Sequence, residues 1–235
     1  MTEHISSAYD RDLDAIQTLV MKMGGLVEDA IGSAVKSLET RDIELAEKVR
    51  AADKQIDALE LQINEEAARV IALRAPVSKD LRAILTVLRI AASMERIGDY
   101  AKNIAKRTGT LVDMPHIAGS DAALRRMARE VQSMLKDLLD SYLRLDVLLA
   151  EDVRQRDHEV DQMYNALFRE FLTFMLEDPR NITTCMHLHF MAKNVERMGD
   201  LVTNMAEQVI FLVNGKMPEE ARPKGDTTAF MVGLD

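Results

Sequence analysis

Two pentapeptides, Glu95-Arg96-Ile97-Gly98-Asp99 and Glu196-Arg197-Met198-Gly199-Asp200, each place two carboxylates four residues apart. Asp53 with Asp57, and Asp157 with Asp161, keep the same spacing. On a helix, that spacing puts both side chains on one face, about 6 Å apart. Carboxylates grouped in this way repel and raise one another's pKa, and a bound cation removes the penalty. All-oxygen ligation suits hard or borderline ions such as magnesium, manganese or iron, and several carboxylates together leave room for more than one ion. One such pair by itself is ordinarily part of a solvated acidic face. The case for metal rests on how the four pairs combine.

They combine as a repeat. The two pentapeptides lie 101 positions apart, and Asn103 recurs at the same offset as Asn204. Asp53 and Asp57 recur 104 positions later, with Arg50 matching Arg154, so the second copy has a shorter hairpin. Asp57 and Glu95 lie symmetrically about Pro76, as do Asp53 and Asp99. Asp161 and Glu196, and Asp157 and Asp200, lie symmetrically about the Asp178-Pro179 bond. If the chain turns at these two points, all four carboxylates of each copy stand level in pairs across an antiparallel hairpin. Glu95 and Glu196 each sit one residue past an apolar stripe, roughly 100° round the helix. The stripes are Val87, Ile90, Met94, Ile97, Ala101 and Ile104, and Leu188, Met191, Val195, Met198, Val202 and Met205. The carboxylates are therefore expected in a groove on the bundle flank, open to solvent. Gly98 and Gly199 fall mid-helix, where glycine costs about 1 kcal/mol relative to alanine. Their recurrence points to a close approach by a neighbouring helix or by the cluster.

The elements that must carry these residues are helices. Apolar periodicity is continuous from residue 10 to residue 212, broken near Thr40, at Ala75-Pro76, from 109 to 120, near Leu145, and at Asp178-Pro179. This predicts an all-α fold of six long antiparallel helices, arranged as two similar three-helix bundles in tandem. The first unit is read as residues 10–108, a linker as 109–120, the second unit as 121–212, and a loosely ordered tail as 213–235. Ten glycines and five prolines supply too few turns for a many-stranded β protein.

The net charge of −9 argues against nucleic acid as the principal partner, although a local basic patch is compatible with it. A single cysteine, Cys185, rules out an internal disulfide framework and fits a reducing cytoplasm. No signal-peptide stretch and no run of about 18 apolar residues is apparent, so any membrane contact is expected through partners. His187 and His189 are too close in sequence to share a helical face, which weakens a histidine-zinc site. No Glu is followed three residues on by His, as a ferritin-like di-iron site requires. No phosphate loop, dinucleotide fingerprint or nucleophile-base grouping is present either, and the chain is read as a non-enzyme.

With its two E-R-[IM]-G-D pentapeptides, each preceded by a D-x-x-x-D helix, the sequence resembles the PhoU family of phosphate-specific transport regulators. The likeness runs from about residue 10 to residue 212. It implies metal clusters bound by Asp53, Asp57, Glu95 and Asp99, and by Asp157, Asp161, Glu196 and Asp200. The ions would be divalent or trivalent: iron, manganese, magnesium or zinc. It also implies a cytoplasmic, homodimeric negative regulator of phosphate uptake and of the phosphate-starvation response. Such a regulator relays the transporter's state through contacts with the ATPase subunit of the phosphate transporter and with a sensor histidine kinase. Three other readings compete: a metal-dependent phosphohydrolase or oxidase, an accessory protein of a low-affinity phosphate permease, and a metal-free scaffold.

Overall fold

In a computed structural model, which describes residues 2–219, the chain folds into six helices. These are α1 (Thr2–Thr40), α2 (Ile43–Arg74), α3 (Ser78–Leu111), α4 (Ser120–Arg144), α5 (Val147–Glu177) and α6 (Ile182–Asn214), with a 3-10 turn over Pro179–Asn181 before α6. No strand occurs among the described residues, and no helix there is long and apolar enough to cross a membrane. Helix α1 starts well before residue 10, because no glycine or proline stands between Thr2 and Asp10 to stop it. The expected linker is also shorter. Helix α3 runs on through Gly109 to Leu111, and only 112–119 leave the helical path. Helix α6 absorbs the first residues of the expected tail, and 220–235 lie outside the described residues.

The same corner is built twice. Arg41 and Leu145 take left-handed conformations (φ 53° and 54°), and the next residue donates its N–H to the Ser37 or Ser141 carbonyl, at 2.9 and 3.0 Å. That next residue then caps the following helix. Asp42 accepts from the Leu45 N–H, and Asp146 accepts from those of Leu148 and Leu149. In the first copy the corner is also fastened to the far end of the unit. The Arg41 guanidinium donates to the carbonyls of Leu111, Val112 and Met114 at 3.0, 2.7 and 3.1 Å. The first two are carbonyls that α3 cannot satisfy internally at its end, and the third belongs to the turn that follows.

Helix α2 packs on α1 and α3, and α5 packs on α4 and α6. The two units meet through α3 against α6 and α1 against α4. Both apolar stripes expected on α3 and α6 are buried throughout, as is Cys185. Each copy thus leaves its second helix on the outside, with the carboxylate pairs on the α2–α3 and α5–α6 contacts. Replacing the caps, Asp42→Ala or Asp146→Ala, is expected to cost about 0.5–2 kcal/mol each. Asp146, which accepts two bonds, should cost more. Calorimetry should show this as a lower Tm for both variants.

Candidate metal centre

The hairpin contact is closest at the mid-helix glycines. A Cβ on Gly98 would stand 3.0 Å from Ile56 Cδ1, 3.3 Å from Ile56 Cγ2 and 3.4 Å from Asp53 Oδ1. A Cβ on Gly199 would stand 3.3 Å from both Asp157 Oδ1 and Val160 Cγ1. These are equivalent contacts in the two copies. Each glycine removes the one side chain that would hold the hairpin apart, and a carboxylate fills the space over its backbone. The price in helix propensity, about 1 kcal/mol, is small against the burial of Ile56 and its neighbours.

In the first copy Asp53 is almost fully buried, Glu95 and Asp99 are half-buried, and Asp57 is exposed. Lys102, one turn past Asp99, places its ammonium 2.5 Å from Asp53 Oδ2 and 3.4 Å from Asp99 Oδ1. The hydrogen bond to Asp53 holds the lysine more firmly charged than usual, against the opposing effect of burial. Asp53 Oδ1 is buried and has no hydrogen-bond partner among the described residues. Burial raises the Asp57 pKa first, followed by repulsion from Asp53; Lys102 opposes this, and Asp99 and Glu60 add to it. Glu95 is raised likewise, by burial and then by Asp99, Asp57, Glu60 and Asp53. The four expected carboxylates therefore do share one field, and Glu60 is a fifth member of it.

The second copy has the same residues in a different setting. Asp157, Asp161 and Glu196 are buried and only Asp200 is half-buried, so the expected open groove is closed here. Thr203 stands where the first copy has Lys102, and its hydroxyl donates to the Gly199 carbonyl at 3.1 Å. The compensating ammonium comes instead from Lys193, 2.9 Å from Glu196 Oε1. Asn165, one turn past Asp161, is buried alongside. Arg154 is also buried and pairs with Glu151 and Glu207, whereas its counterpart Arg50 is exposed.

The donor chemistry fits a hard cation. A buried orphan carboxylate oxygen and two carboxyls raised by burial and then by their neighbours' charge are what a metal ion would relieve. The side chains as they lie are set for lysine instead. Among the described residues no three His, Cys, Asp or Glu stand close enough together to hold one ion. A metal in the first cluster must displace the Lys102 ammonium from between Asp53 and Asp99.

A PhoU domain model matches residues 20–108 and again 124–209. A Caulobacter vibrioides protein named phosphate-specific transport system accessory protein PhoU homolog is 43% identical, over 96% of this chain and 98% of its own. A Xylella fastidiosa protein of the same name is 45% identical, over 99% and 95%. The chain belongs to the PhoU family. Its fold matches the crystal structure of PhoU from Pseudomonas aeruginosa with a TM-score of 0.85 at 36% identity, covering 88% of this chain and 100% of that one. The phosphate transport system regulatory protein PhoU from Streptococcus pneumoniae matches with a TM-score of 0.83 at 26% identity, over 90% and 100%.

Sequence reasoning did not find Glu60, Lys102, Lys193 or Asn165. Glu60 and Lys102 each lie three residues past a motif carboxylate, and Asn165 four, spacings that share a helical face and could have flagged them. Lys193 lies three before Glu196 but has no counterpart in the first copy, where Ala92 stands. The histidines take other roles. His189 sits among the Tyr164, Phe168 and Phe190 rings, and His187 faces the Arg107 guanidinium.

Because Asp57 and Glu95 titrate higher in the folded chain than when unfolded, the folded state binds more protons across that window. Stability from this cluster therefore falls as pH rises from the ordinary carboxylate range through the raised values. Glu95→Gln is expected to flatten that fall and to raise the Tm of chelator-treated protein at neutral pH. Melting curves across pH for both proteins read this directly.

Proposed function

We propose that this protein is a non-enzymatic accessory regulator of a phosphate-specific transporter, with metal ions held at two carboxylate clusters. The observation that carries the reading is the duplicated glycine contact. In both copies a carboxylate is buried over Gly98 or Gly199 in the heart of the family motif, within a chain similar almost end to end to proteins named for phosphate-specific transport. In this reading Asp53, Asp57, Glu95 and Asp99 hold one site. Asp157, Asp161, Glu196 and Asp200 hold the other. A bound iron, manganese, magnesium or zinc ion supplies charge compensation there and ties the two helices of each hairpin together. The chain's own residues set the geometry. The glycines admit the helices, and the lysines keep the carboxylates tolerable when no metal is present.

The protein works in the cytoplasm as a homodimer, restrains phosphate uptake when phosphate is plentiful, and passes the transporter's state to a sensor histidine kinase. Its direct contacts are that kinase and the transporter's ATPase subunit. The absence of any recognisable base or nucleophile grouping in the sequence favours an adaptor over a phosphohydrolase or oxidase.

Two measurements test this. Elemental analysis of purified protein is expected to show metal, with part lost in Glu95→Gln and nearly all lost in Glu95→Gln/Glu196→Gln. Adding the ion at about 100 times its Kd should stabilise the wild type by roughly 2.7 kcal/mol. Metal content unchanged by both substitutions would remove the assignment of these sites. In cells, deleting the gene should leave phosphate-starvation genes expressed in rich phosphate; normal repression would sink the regulatory role.

A further inference from the structure

The net charge of −9 is not spread evenly. Helix α4 sorts its charges by side. On the flank toward α5, Glu130 and Asp137 both pair with Arg156, at 2.7 and 2.5 Å. At its first turn Asp121 is taken up by His116 at 2.9 Å. The flank toward α1 carries Arg125 and Arg129, with Lys36 of α1 opposite them, and Arg126 stands beside them on the outer face of α4. A depression of about 640 Å³ between α1 and α4 adjoins a second, of about 470 Å³ on α4 itself, and the two share Arg125 and Arg129. Among the described residues the only carboxylate lining this groove is Glu39, which is paired with Arg125. Lys36, Arg126 and Arg129 have no ion pair among the described residues, and both arginines are exposed. The floor is small, with Gly32, Val35, Ala123 and Ala128 among its residues.

This groove is not inherited from the repeat. At the matching offset α1 has Met21, Lys22 and Gly25 where α4 has Arg125, Arg126 and Arg129, and Lys36 is matched by Asp140. Arg126 keeps a basic counterpart in Lys22, whereas Arg125, Arg129 and Lys36 have none. Like charges held together cost energy, and in an acidic protein they would be dispersed or paired unless something anionic met them.

We infer that the α1–α4 groove docks an acidic polypeptide segment of a partner protein. Its shape argues for a segment rather than a small anion, since the lining from Gly119 to Gln132 on α4 alone runs for roughly 20 Å. Thr40 and Gln132 offer neutral polar groups along it, with the Gln132 amide lying over Gly32 and donating to the Glu28 carbonyl. A lipid surface fits less well. None of the exposed large apolar side chains of the described residues lies along the groove, so nothing there is placed to enter a bilayer. The net charge of −9 opposes the approach of such a segment to the chain as a whole, so the cations of this groove supply the attraction. The inference adds a contact surface to the regulatory reading and does not depend on the metal sites.

The test is fluorescence anisotropy with the full chain and a dye-labelled Glu/Asp-rich peptide of about a dozen residues, long enough to span the groove as a helix. Binding is expected, weakening with added salt. Arg126→Ala/Arg129→Ala, which breaks no ion pair of the fold, should weaken it about tenfold, as expected for two partly desolvated charge contacts worth about 1.4 kcal/mol together. Arg96→Ala/Arg197→Ala removes the same charge at the α3–α6 seam and should change it less than about twofold. Equal losses in the two double variants would overturn the inference, as would no binding by the wild type. So would tighter Arg126- and Arg129-dependent binding to phosphatidylglycerol vesicles, duplex DNA or inorganic phosphate than to the peptide.

Discussion

The close approach of helices at Gly98 and Gly199 governs the rest of the molecule's chemistry. Without a Cβ at these points, α3 and α6 admit Ile56 and Val160 to within ordinary packing distance, and Asp53 and Asp157 come with them. A carboxylate brought into a helix contact loses its water, and an uncompensated buried charge is costly by several kcal/mol. A cation must then be supplied. In the structure the Lys102 ammonium answers Asp53 directly, and in the second copy Lys193, at a different position on the third helix, pairs with Glu196 of the same cluster. Metal binding, where it occurs, enters a site whose electrostatics already require a positive charge, and it exchanges one cation for another.

The duplication that makes the motifs visible also conceals how far the copies have diverged. Asp57 is exposed and Asp161 buried; Arg50 is exposed and Arg154 buried; Lys102 is answered by Thr203, and Lys193 by Ala92. The first cluster opens to solvent on one side, whereas the second is closed around Asn165. Two sites that look equivalent in sequence therefore differ in solvation and in the group a metal must displace. The same divergence appears on α1 and α4, where Arg125 and Arg129 are matched by Met21 and Gly25. A diverged tandem repeat thus presents two different surfaces on one core.

Much was legible in the sequence because helices translate spacing into geometry directly. Symmetry about Pro76 and about the Asp178-Pro179 bond sets the carboxylates level across each hairpin, and both chain reversals fall there. The apolar stripes on α3 and α6 are buried as the periodicity required, and the mid-helix glycines mark a close approach as their recurrence suggested. Boundaries were less accurate where no residue breaks a helix, at the start of α1 and at Gly109.

The sequence by itself determined the helices, the repeat, the turns and the set of carboxylates, since each follows from local periodicity and from matching one segment with another. Tertiary structure alone decided which of those carboxylates are dry, which lysine answers each cluster, that Glu60 joins the first, and that the second is closed. It also decided that four cations from α1 and α4 share one groove. These are properties of neighbours distant in the chain. Burial and field depend on everything packed around a group, and no spacing rule within a single helix carries that information.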